Sequence, residues 1–292
     1  MNEDCSTAAA RDGIRHKIAR PVFIVSTPRS GSTLLFETLI KAPDLFNPGG
    51  ESHMRIEQVA DFFPGARGWT SNRLTEADAA AANVEDLARR FYPYLRDRSG
   101  HAADGKVQML EKTPKNALRV PFFNAAWPDS LFVYLYREPQ ATLGSMIEAW
   151  LSGRFVTYPM LPAWGRPAWS LLLIPGWREL AGKPLAEVVA AQWARTTSAL
   201  IQDLSALPPE RVIAVAYDDL VKEPQRTMTN VSARLGLGWD VTLPSALPFS
   251  KTTFSRPAQD KWRRFEAQVD NVRPMVEASD EQARALLELA RV

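Results

Sequence analysis

The sequence predicts one α/β domain with a parallel central sheet flanked by helices. Two observations lead to this fold class. Short apolar runs alternate along the chain with helix-length segments, which is the pattern of repeated βα units. These runs are apolar at nearly every position, as expected for parallel strands that are buried on both faces. With 292 residues, of which 46% are hydrophobic and 23% charged, the chain can bury a large core.

The individual elements follow from these patterns. The predicted strands are the apolar runs Val22–Ser26, Val107–Glu111, Leu131–Tyr136 and Val212–Tyr217. The predicted helices are Ser32–Lys41, Asn116–Ala126, Pro139–Trp150, Leu185–Leu204 and Gln225–Leu235, the last of which is followed by Gly236 and Gly238. We expect a mobile start at 1–20 and a single domain at 21–292. Within that domain, 61–105 is a helical excursion that covers the sheet, and 150–177 is an aromatic excursion.

The turn between the first strand and the first helix has the features of a phosphate cradle. It reads Thr27-Pro28-Arg29-Ser30-Gly31-Ser32-Thr33. The backbone N–H groups of the residues from Ser30 to Thr33 lie at the start of a helix, where unpaired donors and the helix dipole attract an anion. Gly31 allows the backbone to approach a ligand closely. An ATP or GTP loop needs an earlier Gly and a Lys beside its last hydroxyl residue, and this turn has neither, so the pattern disfavours an ordinary triphosphate.

This turn resembles the 5′-phosphosulfate loop of the sulfotransferases that use 3′-phosphoadenosine 5′-phosphosulfate (PAPS). The strand that ends in Arg137, with Ser145 eight residues later, resembles the 3′-phosphate motif of that family. The likeness extends to Glu111-Lys112-Thr113-Pro114, to the segment 215–224 and to Lys261-Trp262, and so spans most of the chain. The resemblance implies a P-loop-like sulfotransferase fold and the transfer of a sulfuryl group from PAPS in one in-line step.

The resemblance also implies which residues bind the nucleotide. Arg137 and Ser145 would hold the 3′-phosphate, and Tyr217 would pack near the nucleotide. Thr253 and Lys261 would belong to a late phosphate-contacting loop, and no metal would be required. The alternatives are a surface pair between Arg137 and Glu138 and a core position for Tyr217.

Catalysis of sulfuryl transfer needs cations, because negative charge grows on the bridging oxygen of the leaving group. By the resemblance, Arg29 and Lys112 supply that charge. The cytosolic members of the family place a histidine base where this chain has Pro114. The sequence Gly49-Gly50-Glu51 instead resembles the segment that bears the base in tyrosylprotein sulfotransferases. Glu51 is therefore the expected base and His53 its competitor, because a neutral imidazole is a better base near pH 7 than an unshifted Glu.

The aromatic excursion at 150–177 is rich in Trp, Tyr and Pro, and we expect it to roof a small-molecule hydroxyl acceptor, free or carrier-bound. The alternative is that its aromatic residues pack against the sheet or against a second copy in a homodimer. Three other functions are kept open. They are sulfation of a peptide tyrosine, a P-loop-like nucleotide kinase, and a nucleotide-binding scaffold without turnover.

Composition narrows the class of protein further. The formal net charge is +2, so no global field attracts nucleic acid or an anionic membrane, and neither is expected as a partner. Cys5 is the only cysteine, which excludes an intramolecular disulfide and fits a reducing compartment. No apolar run has the length of a membrane span, and the start of the chain lacks the apolar core of a signal peptide. A cytoplasmic enzyme is expected.

Overall fold

The computed structural model describes residues 13–250 and 260–292, and the predicted site residue Thr253 lies outside them. The strands in chain order are β1 Val22–Val25, β2 Leu45–Phe46, β3 Gln108–Lys112, β4 Leu131–Tyr136, β5 Val156–Tyr158, β6 Trp169–Ser170 and β7 Val212–Ala216. Five of them form a parallel sheet in the order β2-β3-β1-β4-β7, and β5 pairs with β6 in a separate antiparallel ribbon. The predicted α/β class with a parallel central sheet is confirmed.

Helices cover both faces of this sheet. They are α1 Ser32–Leu39, α2 His53–Glu57, α3 Ala81–Phe91, α4 Val120–Ala126, α5 Pro139–Ser152, α6 Leu185–Ser205, α7 Tyr217–Lys222, α8 Pro224–Leu235, α9 Glu266–Val272 and α10 Glu277–Ala290. On one face, Phe23 of β1 stacks on Phe123 of α4 with ring centroids 4.0 Å apart, in a core that α3, α6 and α10 complete. On the other face, Val22 and Ile24 pack with buried residues of α1 and α8.

The pairing of the central strands determines where the candidate site lies. Ile24 of β1 aligns with Lys112 of β3 on one side and with Val133 of β4 on the other. Because all three strands run in parallel, their carboxyl ends meet at one edge of the sheet. The turn after β1, the end of β3 and the turn after β4 therefore lie side by side, although they are distant in sequence.

Most predicted elements differ from the structure by one or two residues at an end, and two of the differences concern residues near the site. The helix predicted at Asn116–Ala126 is a 3₁₀ helix, Pro114–Leu118, followed by α4, with a non-helical break at Arg119. Pro121 explains the break: within a continuous helix it would remove a backbone hydrogen bond, whereas here it lies in the first turn of α4. The strand predicted to end at Tyr217 ends one residue earlier, and Tyr217 begins α7.

Part of the predicted mobile start is held against the domain. Residues 13–20 include a 3₁₀ helix, Ile14–Lys17, and the backbone N–H groups of Ile14 and Arg15 donate to the Glu85 carboxylate of α3 at 3.0 and 3.2 Å. The Arg15 side chain also donates to the carbonyl of Ala126, at 2.8 Å. The excursion at 61–105 contains α3, whose apolar face joins the core beside β1.

The tryptophans of the 150–177 excursion pack mainly against one another. The rings of Trp150, Trp164, Trp169 and Trp177 contact in tilted and edge-to-face pairs, with centroids 4.8 to 6.3 Å apart. Trp169 is fully buried. These side chains belong to a buried core, whereas Phe155 and Tyr158 of the same excursion line the cavity described below. Within residues 13–250 and 260–292, no helix combines the length and the apolar character that a membrane crossing would need.

Candidate active site

A cavity of about 780 Å³ lies at the carboxyl edge of the sheet. One part of its lining, here called the loop wall, comprises Arg29, Gly31, Ser32 and Thr33 together with Arg137. A second part, here called the polar wall, comprises Glu57, Phe63, Lys115 and Tyr158. Glu51, His53, Ser145, Tyr217 and Lys261 also line the cavity. Lys112 is buried behind this lining, where it contacts Thr33 and Glu51. Of the other described residues that the sequence singled out, all but one line the cavity.

That exception is the Ser30 side chain. Ser30 is fully buried and shares a 2.6 Å hydrogen bond with the hydroxyl of Thr27, so its hydroxyl braces the turn and does not line the cavity. The turn itself thus uses the Ser30 hydroxyl, and the expected contact of Ser30 with an anion depends on its backbone N–H group.

Gly31 sets the shape of the loop wall. It is the N-cap residue of α1, it has a φ of 100°, and no side chain caps the helix. The first N–H groups of α1 consequently have no capping partner, which is the arrangement that binds anions at helix starts. A Cβ at this position would lie 2.5 Å from the Tyr217 ring, so only glycine fits here. Tyr217 therefore packs directly on the cradle, and its place near a nucleotide stays a prediction.

Two arginines flank the cradle. Arg29 has a φ of 68°, and its Nε donates to Ser145 Oγ at 3.3 Å, while its guanidinium lies 4.6 Å from the ring centroid of Phe155. Arg137 stacks on Tyr217 at 4.3 Å and donates to the carbonyl of Arg29 at 3.1 Å. Burial lowers the pKa of both arginines, but a guanidinium keeps its charge in proteins. The cavity thus has two fixed positive charges beside its anion cradle.

The surface pair considered for Arg137 does not form, since Glu138 pairs with Arg284 instead. Lys261 also faces the cavity, where it forms an ion pair with Glu148 of α5. Gly144 allows the segment around Trp262 to pack closely on α5, because a Cβ at position 144 would lie only 2.8 Å from the Cα of Trp262.

Lys112 is the third cation. It is the last residue of β3, its side chain is 2% exposed, and its Nζ donates to Thr33 Oγ1 at 3.0 Å and to Glu51 Oε1. Lys112 is therefore a buried cation, not a solvated surface lysine. The other carboxylate oxygen of Glu51 lies 2.5 Å from Nε2 of His53. Lys112 and His53 thus hold the Glu51 carboxylate from both sides.

The electrostatics of Glu51 follow from these contacts. Burial alone would raise the pKa of Glu51, but the hydrogen bond from His53 and the charge of Lys112 outweigh it and lower this pKa to about 2. Glu51 is therefore a carboxylate at neutral pH. Its backbone is positioned by the next residue, since the N–H of Ser52 donates to Thr113 Oγ1 at 2.8 Å.

A model of the sulfotransferase family matches residues 21–241. The chain belongs to the sulfotransferase family. A Caenorhabditis briggsae protein named "Putative protein-tyrosine sulfotransferase" is 27% identical over 127 residues, which are 44% of this chain and 42% of that protein. "Nodulation protein NoeE" of Sinorhizobium fredii is 26% identical over 250 residues, 78% of this chain and 51% of that protein. The chain thus spans about half of the length of these curated relatives, or less.

The fold agrees with the family. The crystal structure of mouse sulfotransferase SULT7A1, complexed with 3′-phosphoadenosine 5′-phosphate (PAP), matches this chain with a TM-score of 0.51. The match covers 97% of this chain and 96% of the mouse protein at 13% identity, which shows a shared fold.

The polar wall of this sulfotransferase was not predicted from the sequence. Its Glu57, Lys115 and Tyr158 side chains are joined by hydrogen bonds and line the same cavity as the cations. Only weak features of the sequence indicate that Glu57 and Lys115 belong to the site. Glu57 lies four residues after His53, so that the two share one face of α2, and Lys115 follows the Lys112-Thr113-Pro114 motif. No group of three or more His, Cys, Asp or Glu side chains that could hold a metal occurs in the part of the chain that the structure describes.

Proposed function

We propose that this protein transfers a sulfuryl group from PAPS to a hydroxyl of a small-molecule acceptor, free or carrier-bound, with Glu51 as the base. One observation carries the proposal. The anion cradle, Arg29 and Glu51 line the same cavity, and the buried Lys112 joins Thr33 of the cradle to the Glu51 carboxylate.

The residues of the loop wall fit a nucleotide with phosphates at two positions. The uncapped start of α1 with Arg29 suits the 5′-phosphate, and Arg137 with Ser145 suits the 3′-phosphate. PAPS supplies the sulfuryl group and its phosphate leaving group. Arg29 and Lys112 would stabilise the charge that develops on the departing oxygen, because both are fixed cations at the edge of the cradle.

Lys112 contacts both the anion cradle and the proposed base. In the structure its ammonium group is shared between Thr33 of the cradle and the Glu51 carboxylate. When Lys112 turns toward a bound phosphate, Glu51 loses a partner that lowers its pKa, and its basicity increases. Binding of the donor would thereby prepare Glu51 to take the proton of the acceptor.

The contacts of His53 support Glu51 as the base. Nε2 of His53 is bound to Glu51, and Nδ1 is buried without a hydrogen-bond partner among the residues that the structure describes. Neither ring nitrogen is therefore open to an acceptor, whereas each oxygen of Glu51 retains a lone pair. We assign His53 the role of a positioning residue for Glu51.

Cofactor binding provides the direct test of this function. PAP is expected to raise the melting temperature far more than ATP with Mg²⁺ does, because Arg137 and Ser145 would bind a 3′-phosphate that ATP lacks. The measurement is a thermal melt with each nucleotide at equal concentration. Equal stabilisation by the two nucleotides would overturn the assignment of the 3′-phosphate site and favour the nucleotide kinase.

The role of His53 predicts a change in pH dependence. His53→Phe removes a hydrogen bond that lowers the pKa of Glu51, so the acidic limb of kcat/KM should move to higher pH while activity on the alkaline plateau persists. His101→Phe is the matched control, because His101 also contacts a carboxylate, that of Asp97, on the exposed surface. A loss of activity at every pH in His53→Phe alone would instead make His53 the base.

A peptide tyrosine is the second candidate acceptor, and the 27% identity to the Caenorhabditis briggsae protein favours it. Turnover of a tyrosine-containing peptide with no turnover of small phenols would select it. A chain that binds PAP and sulfates neither would be a scaffold.

A further inference from the structure

The polar wall contains two charged side chains that are almost completely buried. The side chains of Glu57 and Lys115 are 8% and 5% exposed, and Lys115 Nζ lies 2.6 Å from Glu57 Oε1. The fully buried guanidinium of Arg119 contacts the same oxygen at 3.2 Å. Charged groups are rarely buried without several hydrogen-bond partners, so any atom of Glu57 or Lys115 that lacks a partner is informative.

One carboxylate oxygen of Glu57 and two N–H groups of Lys115 have no hydrogen-bond partner among the residues that the structure describes. Oε1 of Glu57 receives Lys115, Arg119, Asn72 at 3.2 Å and the hydroxyl of Tyr158 at 3.5 Å. Oε2 receives no hydrogen bond from any residue that the structure describes. Lys115 uses one of its three N–H donors within the same part of the chain. An open carboxylate oxygen and open ammonium donors therefore lie side by side in the cavity wall.

The charges around this pair select the kind of group that fits. An ammonium group would bind Oε2 but would face the charges of Lys115 and Arg119. A carboxylate would bind Lys115 but has no hydrogen to donate to Oε2, so two acceptor oxygens would lie side by side. A hydroxyl group both donates and accepts, so it can donate to Oε2 and accept from Lys115 without adding charge. Burial lowers the pKa of Lys115 to about 8, so the ammonium form predominates at neutral pH.

The position of the pair relative to Glu51 sets where this group would lie. His53 and Glu57 are four residues apart on α2, so they share one face at a spacing of about 6 Å along the helix axis. His53 holds Glu51, so the polar wall lies roughly one helical turn from the base. The rings of Phe63 and Tyr158, with centroids 6.4 Å apart, provide an apolar surface in this wall.

We propose that Glu57 and Lys115 form an acceptor subsite that binds a second, uncharged hydroxyl group, about one helical turn from the hydroxyl that is sulfated. The inference rests on the proposed function and specifies its acceptor class as molecules with two hydroxyl groups joined by an aromatic or apolar spacer. Tyr158 and Phe63 contact that spacer.

The test uses four phenols that differ only at the end of the para substituent. They are 4-ethylphenol, tyrosol, tyramine and 4-hydroxyphenylacetate, which end in methyl, hydroxyl, ammonium and carboxylate groups. Binding to the PAP complex is measured by calorimetry, without turnover. Tyrosol is expected to bind at least about ten-fold more tightly than each of the others, since hydrogen bonds to charged groups have this strength.

The matched variants are Lys115→Met and Lys222→Met. Lys115→Met should reduce the preference for tyrosol over 4-ethylphenol by at least about three-fold, because the donor is lost while the hydrogen bond to Oε2 of Glu57 can still form and Arg119 still pairs with Glu57. Lys222→Met should leave the preference unchanged, because Lys222 forms an exposed ion pair with Asp218 on α7. PAP should bind both variants as it binds the unmodified protein.

The possible results distinguish failure of the acceptor subsite from failure of the proposed function. If the unmodified protein binds PAP but does not prefer tyrosol, the subsite is refuted, even if Lys115→Met fails to fold. Equal weakening of all four phenols in Lys115→Met, with a lower melting temperature, would assign the pair a structural role. If the protein binds no PAP, the proposed function itself fails.

Discussion

Glu51→Gln is expected to lower kcat by roughly 10²–10⁴-fold and to leave the affinity for PAP nearly unchanged. The amide has the shape of the carboxylate and can still contact Lys112 and His53, but it cannot accept the proton of the acceptor. The folded site should therefore persist while the chemical step slows. Steady-state kinetics with PAPS and a phenol, together with calorimetry with PAP, measure the two quantities separately.

Glu179→Gln is the matched control for this experiment. Glu179 also pairs with a basic side chain, that of Arg195, but it is 70% exposed and lies outside the cavity. Its replacement should change neither quantity. An unchanged kcat in Glu51→Gln, with a large loss in His53→Gln, would transfer the role of base to His53.

Gly31→Ala is expected to weaken PAP binding by about 10–100-fold, because strained backbone positions cost on the order of 1–3 kcal/mol each. The added Cβ would lie 2.5 Å from the Tyr217 ring at a φ of 100°. Tyr217 must then move, and it carries the stacked guanidinium of Arg137. The substitution should therefore disturb both phosphate positions of the nucleotide, as calorimetry with PAP would show.

Gly100→Ala separates the collision from backbone strain. Gly100 has a similar φ of 87°, but a Cβ there would meet no atom within 4 Å. This control should lower the melting temperature slightly and leave PAP affinity intact. If Gly31→Ala binds PAP as tightly as the control does, the packing of Tyr217 on the cradle is not needed for binding.

The strands of the central sheet were predictable because burial on both faces leaves continuous apolar runs. Leu131–Tyr136 was predicted with the bounds that the structure has, since all six residues are buried. The edge strand Leu45–Phe46 was missed because two residues show no periodicity. The buried ion pair between Arg119 and Glu57 was missed because its two residues are far apart in the chain and local sequence does not show their contact.

The loop wall of the site could be predicted from the sequence, and the polar wall could not. The loop wall depends on a short motif, so Arg29, Gly31 and Thr33 could be named from consecutive residues. The polar wall combines Glu57 and Lys115, which are 58 positions apart in the chain and meet only in the folded protein. A motif search detects the first kind of site and cannot detect the second, because an ion pair between residues that are distant in the chain leaves no local pattern.

The parallel pairing of the central strands also governs how the chain reaches its native state. Ile24 pairs with Lys112 and Val133, so contacts at the centre of the sheet close loops of roughly a hundred residues, which slows folding. The turn after β1 is a short segment, yet Lys112 and Arg137 reach it only when both loops have closed. The complete nucleotide cradle consequently exists only in chains with the central sheet assembled, and any partly folded form with β1 unpaired lacks it.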